Sequence, residues 1–527
     1  MTHSWSDARR RASNWLTSGR GRGLTLTALA TYPLVLVLIS GTHGPGMWSD
    51  SVHYAFGAKS YASSGEVLGW SDDPLTLWPP GLSVVLGSII RLGIDLETAA
   101  VGLNAICVVA SVLLTYRLAR ISLHSILLGL LAATLFSVSA STIGIFSWLA
   151  SEPPFVALTL LTLVIGTQAC VTGRLHVSHV VALSLVVSAA TTVRYAGAWL
   201  IPVAALAAFL SLWPTDRRRA LLMGLLTGAL SSAGLVAVAT RNLSLGAPPL
   251  GERFPSPFPA SSIFVGSAAT VGRYVVPSGW TLAAIATGLV IAGLLLYALV
   301  LSCRRRCWAV VVIAFFVALY WALLTYSQLT TSTSPSSARF SAPVYSSMLI
   351  LTVYAVRDIR SRILDSTGSA DVASFRRTVV GTAIGTVVCF TVVVSAVQGI
   401  GYVEQARSKG LGYNSLESRM SPLAASLSTI PEGKTVAATD DAKAAWASQR
   451  RGIVRIPRQD GASAEAYGDR TRTFVEEVKQ GEWTHLAFFT DADFSSLGPE
   501  ELMRLGARLQ LVATYDDGSL WEAQAVP

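Results

Sequence analysis

The chain has 527 residues, of which 52% are hydrophobic and only 13% are Asp, Glu, Lys or Arg, against about 25% charged in an ordinary soluble domain. Most of it must face lipid, which excludes a soluble enzyme. The net charge of +9 does not indicate nucleic acid: residues 1–400 hold 26 basic and 13 acidic groups, residues 401–527 hold 14 and 18, and the surplus belongs to the apolar part.

The first 23 residues are basic (Arg9, Arg10, Arg11, Arg20, Arg22) and precede an apolar run with no small-residue cleavage pattern, which predicts a cytoplasmic N-terminus and an uncleaved first helix. A bilayer core about 30 Å thick needs roughly 20 apolar residues per helix. Runs of that kind lie near 24–42, 79–93, 98–118, 154–172, 178–194, 197–213, 219–240, 280–302, 308–328, 340–356 and 378–400. Residues 121–149 are apolar but broken by Ser and Thr, and form either a re-entrant pair or two further short spans. The expectation is a polytopic α-helical membrane domain over 24–400 with about 11 to 13 transmembrane helices.

Short loops rich in Lys and Arg stay cytoplasmic. The N-terminus, Arg217–Arg219, Arg304–Arg306 and the group Arg357, Arg360, Arg362, Arg376 and Arg377 agree on one side. Loops 43–78, 241–279 and 329–339 and everything after residue 400 then fall outside the cytoplasm. Arg117 and Arg120 are misfits of this count. Residues 401–527 change to the composition of a small exterior α/β domain, with β-like runs at 435–438, 484–489 and 509–515 and helix-like segments at 441–450 and 499–505. No Gly-rich phosphate loop or Ser-His-Asp pattern stands out there.

The five cysteines (Cys107, Cys170, Cys303, Cys307, Cys389) lie in or beside apolar runs without disulfide or zinc spacing. Chemistry is better sought among the acids assigned to the outer side: Asp50, Glu66, Asp72, Asp73, Glu152 and Glu252. Four of them lie in the first loop, 43–78, with His53, Tyr54, Lys59, Trp70 and Trp78. Asp50 follows the first span, where an ionisable group is costly unless paired or hydrated; it serves either chemistry or a helix cap. Glu152 opens an apolar run before two prolines, which the helix dipole alone would favour. Arg194 and Arg339 are each a snorkelling anchor or a phosphate clamp. His176 and His179 are read as loop histidines, and the Pro-rich stretch 247–259 as a connector or a cover over a site.

Asp50 with Tyr54, Trp78-Pro79-Pro80-Gly81, Ser151-Glu152-Pro153 and Arg194-Tyr195-Ala196-Gly197 together resemble the GT-C superfamily of membrane glycosyltransferases. The likeness is greatest to bacterial relatives of protein O-mannosyltransferases and aminoarabinose transferases (family 39-like). One departure is that the family often shows an Asp-Glu pair in the first loop, whereas Ser51 follows Asp50. The resemblance implies a plasma-membrane enzyme moving sugar from a polyprenyl-phosphate donor to a hydroxyl of an envelope glycan, lipid or protein on the outer face. Asp50 would act as base in an inverting displacement. Glu152 would orient the acceptor or a cation, Arg339, Arg194 and Lys59 would stabilise the departing phosphate, and His53, Tyr54 and Trp78 would line the substrate site. The scheme requires no metal or other cofactor and is compatible with a divalent cation. The alternative is a transporter or flippase of a lipid-linked substrate, for which the internal repeats usual in transporters are missing.

Overall fold

A computed structural model describes residues 14–251, 253, 255–256, 258–277, 279–331, 337–365, 370–458, 464–491 and 496–525. Arg9, Arg10, Arg11 and Glu252 lie outside the described residues.

Among the described residues, apolar composition and length make eight of the helices able to cross a bilayer, or nine if the bent pair Ile126–Val138 and Ala140–Phe146 is one span. The expected 11 to 13 is not reached on these grounds, and the reason is local. The run near 79–93 yields only Gly81–Arg91, 11 residues and about 16 Å at 1.5 Å per residue, half a bilayer core. This helix lies along Ser49–Ser64 instead: Gly87 abuts the Ala58 carbonyl, and the Arg91 guanidinium donates to the Tyr61 and Ala62 carbonyl oxygens at 2.6 and 3.1 Å. Glu97, just beyond it, reaches Arg419 at 2.8 Å, while Arg419 also donates to the His43 carbonyl. Glu97 therefore sits at the same end of the bundle as the first loop, not at the other end as the sequence count had it.

Two further helices run the length of the bundle although they fall short of the length or hydropathy of the others. Val177–Val193 starts beside the C-terminal end of Glu152–Thr172 and delivers Arg194 back to Glu152. Ala338–Asp365 carries Arg339 at one end and Asp358, which pairs with Arg305, near the other. Residues 121–149 form the bent pair, with a 60° break at Ser139, whose hydroxyl caps the second segment by accepting from the Thr142 amide.

The first loop folds into the helix Ser49–Ser64, with Asp50 in its first turn and Gly65 at φ +84 ending it, a left-handed position suited to glycine. After the last membrane helix the chain builds a five-stranded mixed sheet from β1 (Val436–Ala438), β2 (Ile453–Arg455), β3 (His485–Phe489), β4 (Arg508–Tyr515) and β5 (Gly518–Gln524) in the order β2-β1-β3-β5-β4. β1 is parallel to β2 and β3; β5 is antiparallel to β3 and β4. Strands β1, β3 and β4 lie where the sequence alternation places them; β2, β5 and the helix Ala464–Gln480 were not marked by it.

This sheet region does not stand apart. Leu423, Trp446, Ile453 and Phe489 share one continuous apolar core with Met47, Val52, Tyr54, Phe56 and Trp70 of the first loop. Polar clasps close the seam: Lys59 donates to Gln449 at 2.7 Å, the Gly452 amide to the Trp70 carbonyl at 2.7 Å, and Arg451 pairs with Asp72 at 2.6 Å. At the tightest point Gly412 has φ +57, and a Cβ there would lie 2.0 Å from the Met47 carbonyl oxygen and 2.8 Å from the Trp148 ring. Gly412→Ala is expected to destabilise the protein by about 2 kcal/mol or more, lowering the unfolding temperature and opening residues near 410–430 to limited proteolysis. Gly433→Ala, at φ +90 with no atom within 4 Å of the added Cβ, is the control, carrying backbone strain alone; equal effects of the two would show that the seam does not depend on this contact.

Candidate active site

Four segments far apart in sequence converge at one end of the bundle. Glu152 opens the helix Glu152–Thr172, with Pro153 and Pro154 fixing its first turn where proline lacks only an amide the helix leaves free. Its carboxylate is 2% exposed and ion-paired twice through Oε1, to Arg194 Nη1 at 2.8 Å and to Arg339 Nε at 3.0 Å. Arg194 occupies an extended residue (φ −153, ψ 133) between Val193 and the 3₁₀ turn Tyr195–Trp199, and also donates to Ser151 Oγ at 2.8 Å. Arg339 continues the chain of charges by donating from Nη2 to Asp50 Oδ2. Its guanidinium is held between aromatic faces, 4.7 Å from the Trp48 ring centre and 4.8 Å from that of Phe340, so it is fixed by cation–π contacts as well as by charge.

The result is a neutral row of two acids and two arginines, in which Asp50 is the member more open to solvent, 21% exposed against 2% for Glu152. Asp50 Oδ1 makes no hydrogen bond to a side chain or amide among the described residues, which leaves it able to accept one. Trp48 stacks on Trp148 with ring centres 4.2 Å apart. Trp148 is itself tied down, its indole donating to Tyr402 Oη at 2.8 Å and its carbonyl accepting from Asn104 at 2.8 Å. Trp148 thus holds in place the Trp48 ring on which Arg339 lies.

The remaining candidates from the sequence divide. Tyr54 is buried beside Ser151, and burial with the Asp50 charge pushes its phenol well above the usual range, so it acts only as a neutral hydroxyl. His53 stacks on Trp70 at 3.8 Å between Asp50 on one side and Asp441 and Arg455 of the sheet region on the other. Trp78 packs at the rim with the Arg253 guanidinium 5.6 Å from its ring. Lys59 is not brought to the charged row: it reaches Gln449 and lies 5.1 Å from the Trp446 ring, a clasp of the seam. Among the described residues no group of three His, Cys, Asp or Glu side chains could hold a metal ion.

Sequence reasoning missed Arg253. It lies in the Pro-rich stretch, which is anchored by Asn242, whose Nδ2 donates to the Pro249 carbonyl at 3.1 Å and to Tyr195 Oη at 2.8 Å. Gly251 takes φ +72 where an added Cβ would lie 2.5 Å from the Thr76 carbonyl. Arg253 lies 5.1 Å from the Tyr195 ring and near the Asp50 and Arg194 charges, with no acidic partner among the described residues.

No known family profile matches the sequence, and no curated protein matches it by sequence. The structure does have relatives. The apo crystal structure of ArnT from Cupriavidus metallidurans superposes with a TM-score of 0.57 at 14% identity, covering 97% of this chain and 99% of that one. This chain has the GT-C glycosyltransferase fold. The undecaprenyl phosphate-bound structure of the same ArnT gives 0.55 at 14% identity over 96% and 98%. The archaeal oligosaccharyltransferase AglB from Archaeoglobus fulgidus, in complex with an inhibitory peptide and a dolichol-phosphate, gives 0.52 at 12% identity over 88% and 69%. The GT-C likeness therefore extends over nearly the whole chain, sheet region included.

His53 supplies a pH test of the geometry. Burial pushes its imidazole down to about 4, against the pull of the neighbouring carboxylates. A base whose folded pKa lies below its unfolded value binds fewer protons when folded, so its contribution to stability is complete above about 6.5 and is lost as pH falls toward 4. The thermal unfolding temperature should fall across that window, and His53→Phe, which keeps a ring against Trp70, should flatten the slope. An identical slope in His53→Phe would place the histidine in water rather than under Trp70.

Proposed function

We propose that the protein is an inverting glycosyltransferase that moves a sugar from a polyprenyl-phosphate donor to a hydroxyl of an envelope glycan, lipid or protein on the outer face of the plasma membrane. The observation that carries this reading is the charged row Asp50–Arg339–Glu152–Arg194 at one end of a GT-C bundle. ArnT bound to undecaprenyl phosphate and AglB bound to a dolichol-phosphate share that fold, which supports a lipid phosphate as the leaving group.

In the proposed step Asp50 Oδ1 takes the acceptor hydroxyl proton, the acceptor oxygen bonds to the anomeric carbon from the face opposite the phosphate, and the bond from that carbon to the phosphate oxygen breaks. Polyprenyl phosphate leaves with the electron pair. Positioned general bases contribute on the order of 100- to 10,000-fold. Glu152 touches no reacting atom in this scheme; it holds Arg194 and Arg339 in place. Because both of those cations are already balanced by acids, the extra negative charge on the leaving group calls for another cation, and Arg253 at the rim is the group assigned to it. Lys59 is assigned to the seam.

The sidedness is part of the proposal. The eight long spans, the bent pair, Val177–Val193 and Ala338–Asp365 make eleven crossings, with Gly81–Arg91 left out. This path moves Arg117 and Arg120 to the side of the other basic clusters and removes the misfit in the sequence count. An odd number puts the two ends of the membrane part on opposite sides. A reporter active only outside the cytoplasm should work when fused after Pro527; activity of a cytoplasm-only reporter there would invert the assignment of Asp50 to the outer face.

Asp50→Asn keeps shape and removes the proton acceptor. Single-turnover release of polyprenyl phosphate should fall by roughly 100-fold or more while equilibrium donor binding survives. Near-normal turnover in Asp50→Asn would sink the base assignment. Arg253→Ala should weaken donor binding and slow release together, by about 10-fold or more for loss of one charge-assisted contact, with little change in thermal stability because no acid among the described residues pairs with it. Full activity in Arg253→Ala would return it to a loop anchor stacked on Trp78.

A further inference from the structure

The Pro-rich stretch that carries Arg253 hangs from one buried amide. Asn242 stands in the last turn of the helix Ala233–Ser244 and is fully buried, so its polar groups need partners inside the protein. Those partners tie separate segments together. Its Nδ2 donates to the Pro249 carbonyl at 3.1 Å and to Tyr195 Oη at 2.8 Å, and its Oδ1 accepts from Arg241 Nη1 at 3.3 Å. Tyr195 Oη donates onward to the Thr76 carbonyl at 2.9 Å, and Arg241 Nη1 donates to the Leu75 carbonyl at 2.9 Å. The Thr76 carbonyl is the meeting point, because Gly251 at φ +72 abuts it with no room for a Cβ.

Two sequence motifs converge on this hub. Just after Thr76 comes Trp78-Pro79-Pro80-Gly81, and a Cβ on Gly81 would lie 2.4 Å from the Thr192 carbonyl oxygen, so the start of the helix Gly81–Arg91 is pressed against the end of Val177–Val193. That end continues into Arg194-Tyr195-Ala196-Gly197, where a Cβ on Gly197 would lie 2.4 Å from the Ala190 carbonyl carbon. The motifs thereby fix the Trp78 and Tyr195 rings, which lie 5.6 and 5.1 Å from the Arg253 guanidinium. Arg253 itself adds a bond from Nη2 to the Leu250 carbonyl at 3.2 Å. An exposed arginine ordinarily keeps much of its rotamer freedom. Here its backbone is held at Pro249 and Gly251 and its charge lies between two fixed rings.

We infer that Asn242 is a positioning residue for the proposed transfer: through the Pro249 carbonyl and Tyr195 it holds Arg253 where the leaving phosphate meets it. The inference rests on the assignment of Arg253 to that phosphate. Asn242 touches no substrate atom and acts only through Arg253. Its contribution is preorganisation, since a cation already held in place loses less freedom when the phosphate binds.

The test is a double-mutant cycle on undecaprenyl phosphate binding to the full-length protein in neutral detergent. Asn242→Ala should weaken binding roughly fivefold when Arg253 is present, the ordering cost that the phosphate then has to meet. Where Arg253 is already replaced by alanine, the same change should cost less than about twofold, because residues acting through one another are not additive. Tyr195→Phe keeps the ring beside Arg253 and removes the hydroxyl; it should weaken binding in the same direction by roughly threefold, and the cycle is run with it if Asn242→Ala does not fold. An amide with a merely structural role would weaken binding by the same factor in both backgrounds, which would overturn the positioning role. So would undiminished binding in Asn242→Ala and Tyr195→Phe beside weak binding in Arg253→Ala. Undiminished binding in Arg253→Ala would instead remove the phosphate assignment of Arg253, and the role of Asn242 with it.

Discussion

The arrangement at the Asp50 end rests on one buried carboxylate. Glu152 is withdrawn from water, so its charge must be matched, and a single oxygen is matched by arginines from two other segments. Removing one partner of a buried pair typically costs about 3–5 kcal/mol because the rest is left uncompensated. Glu152 therefore fixes the spacing of three helices near the surface, where lipid-facing packing alone gives little direction. Asp50 gains its place second-hand: Arg339 is set by Glu152, Trp48 and Phe340, and Asp50 is set by Arg339.

The first-loop helix is held from the other side by the sheet region. The shared core from Met47 through Trp70 to Phe489 makes the sheet region a wall of the site rather than an appendage, and His53 stands where the two meet. A movement of the sheet region would move His53 and the helix carrying Asp50 with it, through the clasps at Lys59, Asp72 and Gly452.

Much of this was legible in the residues. Long apolar runs announce membrane helices because lipid offers backbone groups no partners, and Asp50, Glu152, Arg194 and Arg339 each stood out as a charge at the edge of an apolar run. That those four meet is a tertiary fact that spacing could not state. The helix Gly81–Arg91 was mistaken for a span because hydropathy registers burial against protein and burial in lipid alike. Lys59 was given to phosphate on charge and loop position, whereas its surroundings are Gln449 and Trp446, almost 400 residues away. Arg253 was passed over because, in a Pro-rich stretch without periodicity, nothing local distinguishes a rim cation from a solvated one. Strands β2 and β5 were missed for a related reason: β2 is a short run set among Arg450, Arg451, Arg455 and Arg458, and β5 interleaves Gly518, Glu522 and Gln524 with its apolar positions.

The two ends of the bundle solve the same electrostatic problem with the same parts. At each, a carboxylate with a 2% exposed side chain is paired with two arginines, Glu152 with Arg194 and Arg339, Asp358 with Arg305 and Arg362. A buried acid costs free energy unless paired, so the acid makes the arginines' positions obligatory. At the Asp50 end the arginines stand on a pre-ordered frame, which under the proposed function keeps the reorganisation cost of binding a phosphate low. What distinguishes the Asp50 end is that one acid of the row is left partly open to solvent with a free oxygen, so the frame that holds an anion also holds an acceptor for a proton. The Asp358 end has no such open carboxylate among its described residues.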